Sequence, residues 1–208
     1  MQRADAGDGN VAQILLNAVR NRQPGNSAAS VIGMDVATAA PGKGQRTVNQ
    51  DFVSLYQSRF ADLAAQLYAF TGDALETHDL VQEAFIRAWQ RWGKVSTYDD
   101  PVAWVRRVAW NLAMTRHRRW KLLRLITEHR GPPPAPDIDL DRIVLVQALR
   151  KLPEQLRRAI VLFYVADMSI ADIAQDMGVP EGTVKSWLHR GRAELAIDLA
   201  DHGTGGRS

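Results

Sequence analysis

The chain has no cysteine. Disulfide staples, thiolate nucleophiles and cysteine-ligated zinc are therefore excluded. Long apolar runs are missing too, and nothing approaches the ~20 residues that a membrane-spanning helix requires. The N-terminus lacks a basic flank leading into an apolar stretch and a cleavage site, so the expectation is no secretion, no direct membrane insertion and a cytoplasmic home. No stretch alternates in the manner of a strand bounded by turns, and no segment repeats. The histidines His78, His117, His129, His189 and His202 have no metal-ligand spacing. There is no phosphate-cradling glycine loop and no nucleophile elbow. Catalytic residues, metals and cofactors are accordingly expected to be none, and the Asp99–Asp100 pair reads as a helix cap rather than as paired catalytic acids.

What is present is an ordinary globular balance over 208 residues, 46% apolar and 24% charged, enough for one medium domain or two small ones. The net charge of +3 is unevenly spread. Between Val105 and Arg130, eight basic residues stand against the single acid Glu128, a local +7 that leaves −4 on the rest of the chain. A concentrated basic block suggests a polyanionic partner, although a solvated helix face carries such runs as well.

Proline sets the main division. Four of the nine prolines fall between Gly131 and Pro136, where no helix continues and the chain is extended. The expected layout is all-α, two small helical domains joined by this linker. Residues 1–46 form a mostly disordered extension rich in Gly, Ala, Asn and Ser, with one short helical face at Val11, Ile14, Leu15, Ala18 and Val19, and Met34 as an alternative start. Residues 47–130 are the first domain, 131–138 the linker, 139–200 the second domain, and 201–208 a frayed tail. In the first domain, Phe52, Leu55, Tyr56, Phe60, Leu63 and Leu67 keep three–four spacing, as do Leu80, Val81, Ala84, Phe85, Ala88 and Trp89. Asp99-Asp100-Pro101 opens a further helix that carries Trp104, Val108, Leu112 and the basic block. In the second, Leu140, Ile143, Val144, Gln147 and Ala148 suggest one helix face; Leu152-Pro153-Glu154 closes it and starts the next, cored by Leu156, Ile160 and Phe163.

The sharpest local pattern runs from Ser169 to Arg192. Ser169 caps a short helix whose inner face is Ile170, Ile173 and Ala174, with Asp172 three residues on, close to a capping box. Gly178 stands where the turn needs positive φ, and Pro180 opens a second helix. Val184, Leu188 and Gly191 point inward, while Lys185, Ser186, His189 and Arg190 point outward. This is a helix-turn-helix, whose second helix fits a major groove.

Three segments in order, Asp79–Trp89, Trp104–Ala113 and Gly182–Ser186, resemble an extracytoplasmic-function (ECF) sigma factor of bacterial RNA polymerase, over roughly residues 51–200. The resemblance implies a non-catalytic subunit that binds core RNA polymerase, recognises promoter DNA as duplex and as melted strand, and directs initiation by melting the minus-ten region. It implies polymerase contact by Asp79, Gln82, Glu83 and Arg87. It places Asn111 in a pocket for a flipped minus-ten base, where a carboxamide supplies both donor and acceptor. Arg106, Arg107, Arg116, Arg118 and Arg119 then hold phosphates of the opening strand. Tyr98, Trp110 and Trp120 offer stacking faces, with a core role open for both tryptophans. Val95 stands where relatives often place an aromatic wedge. Minus-thirty-five contacts fall on Thr183, Lys185, Ser186, His189 and Arg190; Trp187, where many relatives are basic, reads as a packing residue. An anti-sigma factor is a further partner that the resemblance admits. The competing class is a helix-turn-helix regulator that binds operators without polymerase, usually as a dimer, and nothing in the chain resembles a dimerisation coiled coil.

Overall fold

The computed structural model describes residues 43–124 and 140–204, with side chains from 50 to 119 and from 143 to 199. The short helical face near Val11, Met34, the Pro-rich linker and the last four residues lie outside the described residues. Among the described residues there are eight helices and no strand. They are α1 (Lys43–Thr71), α2 (Ala74–Gln90), α3 (Trp92–Val95), α4 (Pro101–Arg124), α5 (Leu140–Lys151), α6 (Glu154–Tyr164), α7 (Ile170–Met177) and α8 (Glu181–Thr204). Helix α1 begins ahead of the domain boundary expected at residue 47, and α8 continues beyond the expected end at residue 200.

Local chemistry sets the element ends. Gly72, at φ 71°, turns the chain out of α1, and its N–H donates to Tyr68 O at 2.8 Å. Asp73 then caps α2, its carboxylate accepting from the Glu76 N–H at 3.0 Å. The Asp73 N–H is taken by Thr71 Oγ1 at 3.2 Å, so both sides of the turn are satisfied. At α4, Asp100 accepts from the Ala103 N–H at 2.9 Å and Pro101 occupies the first helical position, as the Asp-Asp-Pro run predicted.

The first bundle is cored by Leu63, Leu67 and Phe70 of α1, Val81, Ala84 and Phe85 of α2, and Val105, Ala109 and Ala113 of α4. Two faces are rotated from the sequence reading. On α4 the expected row Trp104, Val108, Leu112 is only half-buried, while Val105, Ala109 and Ala113 fill the centre. On α5 the expected Gln147 is exposed and Ile143 and Val144 are half-buried, whereas Leu145, Val146, Leu149 and Leu152 are buried. Both helices are apolar around much of their girth, so periodicity alone leaves the register ambiguous, and packing partners on two sides decide it.

The second bundle comprises α5–α8. Helix α6 crosses α8 closely: a Cβ on Gly191 would stand 2.9 Å from Ile160 Cγ1. The two bundles do not stand apart. Helix α1 packs against α5 and α6, and the buried residues of both modules form one continuous cluster.

Candidate nucleic-acid interface

The helix-turn-helix is built as its sequence demands. Ser169 Oγ accepts from the Asp172 N–H at 3.1 Å and donates to the Asp172 carboxylate at 2.6 Å. Gly178 adopts φ 68°, ψ 38° at the end of α7, a left-handed conformation that costs a glycine little. Ile173, Ala174, Val184, Leu188 and Gly191 are buried. On the opposite side of α8, Lys185, Ser186, His189 and Arg190 are exposed, with Thr183 half-buried at their N-terminal edge. Lys185 sits 3.8 Å from Glu181, both exposed, a pairing weak enough for a phosphate to displace. Trp187 is half-buried and packs against the core, so it is a packing residue.

Helix α4 carries the basic block. Asn111, Arg116, Arg118 and Arg119 are exposed. Arg107, Asn111 and Arg118 are spaced to share one side of the helix. Tyr98 is exposed in the loop before α4. Val95 lies in the core at 1% exposure, so this position anchors the loop rather than presenting a wedge. The side chain of Trp120 lies outside the described residues.

Trp110 is different. It is fully buried, with its ring 5.1 Å from that of Phe70 at 69° and the Arg158 guanidinium 5.4 Å from its centroid. Of the two roles left open for Trp110, the core role is the one this arrangement provides. Arg106 and Arg107 are also engaged here. Arg106 is half-buried with its Nε enclosed. Arg107 is exposed, with its Nε 3.8 Å from the Asp176 carboxylate of α7.

Asp176, Arg157 and Arg158 are the residues that sequence reasoning passed over. The Asp176 carboxylate is 4% exposed and takes Arg158 at 2.9 Å. Arg157 lies 4.3 Å over the Phe70 ring and its Nη2 is 3.3 Å from His117 Nε2. Burial, then the neighbouring Arg150 charge, lowers the Arg157 pKa to about 10, against a smaller opposing pull from Glu154. The available signal was an Arg-Arg pair beside Leu156 and Ile160 on a core helix.

On α2, Asp79 and Arg87 are exposed and Gln82 and Glu83 are half-exposed, forming one polar row. Glu83 and Arg87 pair at 2.8 Å. Ile86 and Trp89 stand beside this row, 50% and 39% exposed. Trp89, which keeps the three–four spacing of this helix, lies against Phe52 with ring centroids 4.9 Å apart and planes tilted by 55°. No helix among the described residues is long and apolar enough to cross a membrane. No cluster of possible metal ligands occurs among them.

The comparisons with known proteins agree with this layout. The chain matches the family Sigma-70 region 2 over residues 55–121 and Sigma-70, region 4 over residues 142–195. It is 34% identical over 158 residues to the ECF RNA polymerase sigma factor SigL of Mycobacterium tuberculosis, covering 72% of this chain and 89% of that one. It is 30% identical over 176 residues to the ECF RNA polymerase sigma factor SigW of Bacillus subtilis, covering 76% and 92%. Among solved structures, the fold resembles the sigma factor RpoE in complex with the anti-sigma factor NepR from Bartonella quintana, with TM-score 0.62, 24% identity and coverage of 73% and 98%. It also resembles CnrH in complex with the cytosolic domain of CnrY, with TM-score 0.53, 20% identity and coverage of 94% and 98%. With both sigma-70 regions matched in order, and with relatives this similar over about nine-tenths of their length, the chain belongs to the ECF RNA polymerase sigma factors.

Proposed function

We propose that this sigma factor, which directs transcription initiation, does so by dividing three tasks among three helices. The polar row of α2, Asp79, Gln82, Glu83 and Arg87, meets core polymerase. The exposed side of α4, centred on Asn111 with Arg116, Arg118 and Arg119, takes the minus-ten strand as it melts, with Tyr98 as a stacking face. The exposed row of α8 reads the minus-thirty-five element as duplex. The chain supplies recognition and the polymerase supplies the chemistry, in the cytoplasm, and an anti-sigma factor is its antagonist.

The observation that carries this reading is the α8 row. Lys185, Ser186, His189 and Arg190 are all exposed on the second helix of a capped helix-turn-helix, which is the position from which side chains reach base edges. Run-off transcription from a promoter library with core polymerase tests it, with and without the chain. Arg190→Ala is expected to cost about 1–3 kcal/mol and to relax preference at one or two base pairs. Lys185→Ala is expected to weaken all promoters alike and to flatten the salt dependence. If the chain gives no promoter-dependent transcript, or neither substitution alters one, the assignment fails.

A further inference from the structure

A cavity of about 270 Å³ lies between α1, α2, α4 and the turn that joins α6 to α7. None of the three recognition rows borders it. Its floor is apolar, made by Leu55 and Leu63 of α1, Phe85 of α2 and Val105 of α4. Leu63, Phe85 and Val105 are buried. The facing wall is the turn at residues 165–167. Backbone bonds hold this turn: the Ala166 N–H donates to Val161 O and the Met168 N–H to Leu162 O, both at 3.1 Å. Helix packing and main-chain bonds thus set the walls, which makes the cavity preformed.

Two polar atoms of its lining residues lack the partners that buried groups normally have. Gln66 is 9% exposed, and its Oε1 is buried with no hydrogen-bond partner among the described residues. Arg106 is half-buried, and its Nε is buried and unpaired in the same way. The first atom is an acceptor and the second a donor. Unpaired burial is costly for both, so a molecule that brings a donor and an acceptor together is favoured here. The ionic groups on the border balance as well. Arg59 and Asp62 pair at 3.7 Å, and Arg106 and Asp167 add one charge of each sign. Such a border suits a zwitterion better than a net anion or cation. The volume falls below the ~300–1,000 Å³ of sites for drug-sized ligands, which limits the occupant to a small molecule.

We propose that this cavity binds a free α-amino acid with an apolar side chain. Its ammonium group donates to Gln66 Oε1, its carboxylate accepts from Arg106, and its side chain lies on Leu63, Phe85 and Val105. An occupied site ties the α6–α7 turn to α1 and α4 and stabilises the folded chain by mass action. The site is separate from the α2 and α8 rows, and its test needs neither polymerase nor DNA.

Isothermal titration calorimetry on the full chain tests it, with L-leucine as the probe at millimolar concentration. L-leucine is expected to bind at a single site and to raise the thermal midpoint. Isocaproate lacks the ammonium group of leucine, and isoamylamine lacks its carboxylate. L-lysine and L-glutamate set an extra charge against the apolar floor. Each of these four is expected to bind at least about tenfold more weakly.

Two variants address the named partners. Gln66→Leu removes the acceptor at similar size, and Arg106→Met removes the donor while keeping most of the stem. Each is expected to lose leucine affinity by about tenfold or more, with helical circular dichroism retained. Gln66→Leu is also expected to raise the thermal midpoint in the absence of leucine, because a buried unpaired oxygen has gone. The proposal is overturned if leucine does not bind, if isocaproate or isoamylamine binds as tightly as leucine, or if either folded variant binds leucine as tightly as the unmodified chain. The analogue series is read on the unmodified chain, so it decides the matter even where a variant fails to fold.

Discussion

Asn111 shows how much one side chain can be asked to do. It is exposed on α4, and its backbone carbonyl accepts from Thr115 Oγ1 at 2.8 Å within the helix. Its carboxamide faces outward, where it can read a base edge once that base leaves the stack. Unstacking costs a few kcal/mol, and a pocket offsets part of this only after flipping. Asn111→Ala is therefore expected to reduce promoter opening several-fold, about 1 kcal/mol, while closed-complex binding is nearly unchanged; permanganate footprinting beside a duplex-binding assay checks it. Glu76 makes a different case at the same scale. Half-buried near the start of α2, its pKa is raised by desolvation, against a smaller pull from Arg116, with Asp73 adding to the rise. A carboxyl whose folded pKa lies above its unfolded value favours the folded state while protonated, and that contribution is lost as pH rises through the folded pKa. Glu76→Gln is thus expected to be more stable than the unmodified chain at neutral pH, with the gain vanishing near pH 4. Urea denaturation at both pH values measures this, and a gain independent of pH would contradict it.

At the scale of the element, two glycines of the helix-turn-helix are required for unrelated reasons. Gly178 ends α7 at positive φ with open space around its missing Cβ. Gly178→Ala should cost only the left-handed conformation, about 1–2 kcal/mol. Gly191 lies in ordinary helix but directly beneath Ile160. Gly191→Ala must push α6 from α8 or force Ile160 off its rotamer, about 1–3 kcal/mol. Shaving the neighbour separates the two: Ile160→Val is expected to recover part of the Gly191→Ala loss and none of the Gly178→Ala loss, read as changes in urea midpoint. The Gly178 requirement was legible from the turn that separates two apolar helices. The Gly191 requirement appears in sequence only as an inward position; which residue presses on it depends on where α6 crosses.

For the whole molecule, the arrangement separates what is accessible from what is not. Asp79 and Arg87 of the α2 row are exposed in this arrangement, with Gln82 and Glu83 half-exposed between them. Glu83→Lys is expected to lower affinity for core polymerase while far-UV circular dichroism stays unchanged. The lost pair with Arg87 is exposed on both sides and is worth only a few tenths of a kcal/mol to the fold, whereas a charge reversal on a partner surface is strongly unfavourable. Unchanged affinity in the folded variant would remove Glu83 from the interface.

The long helices, the caps at Asp100 and Ser169, the turn at Gly178, and the outward row from Lys185 to Arg190 were legible along the chain. Each depends on a residue's own backbone preference or on neighbours within a turn or two, and such short-range terms are written in order along the chain. The tertiary structure decided which face of α4 and α5 is buried, why Gly191 has no room for a methyl group, and that Trp110 is core rather than a stacking face. It alone brought Asp176 to Arg107 and Arg158, residues 69 and 18 positions away in the chain. Spacing along one helix carries no information about a guanidinium arriving from another. Burial of that kind is fixed only when the modules pack, by desolvation and pairing across a boundary that no local pattern marks.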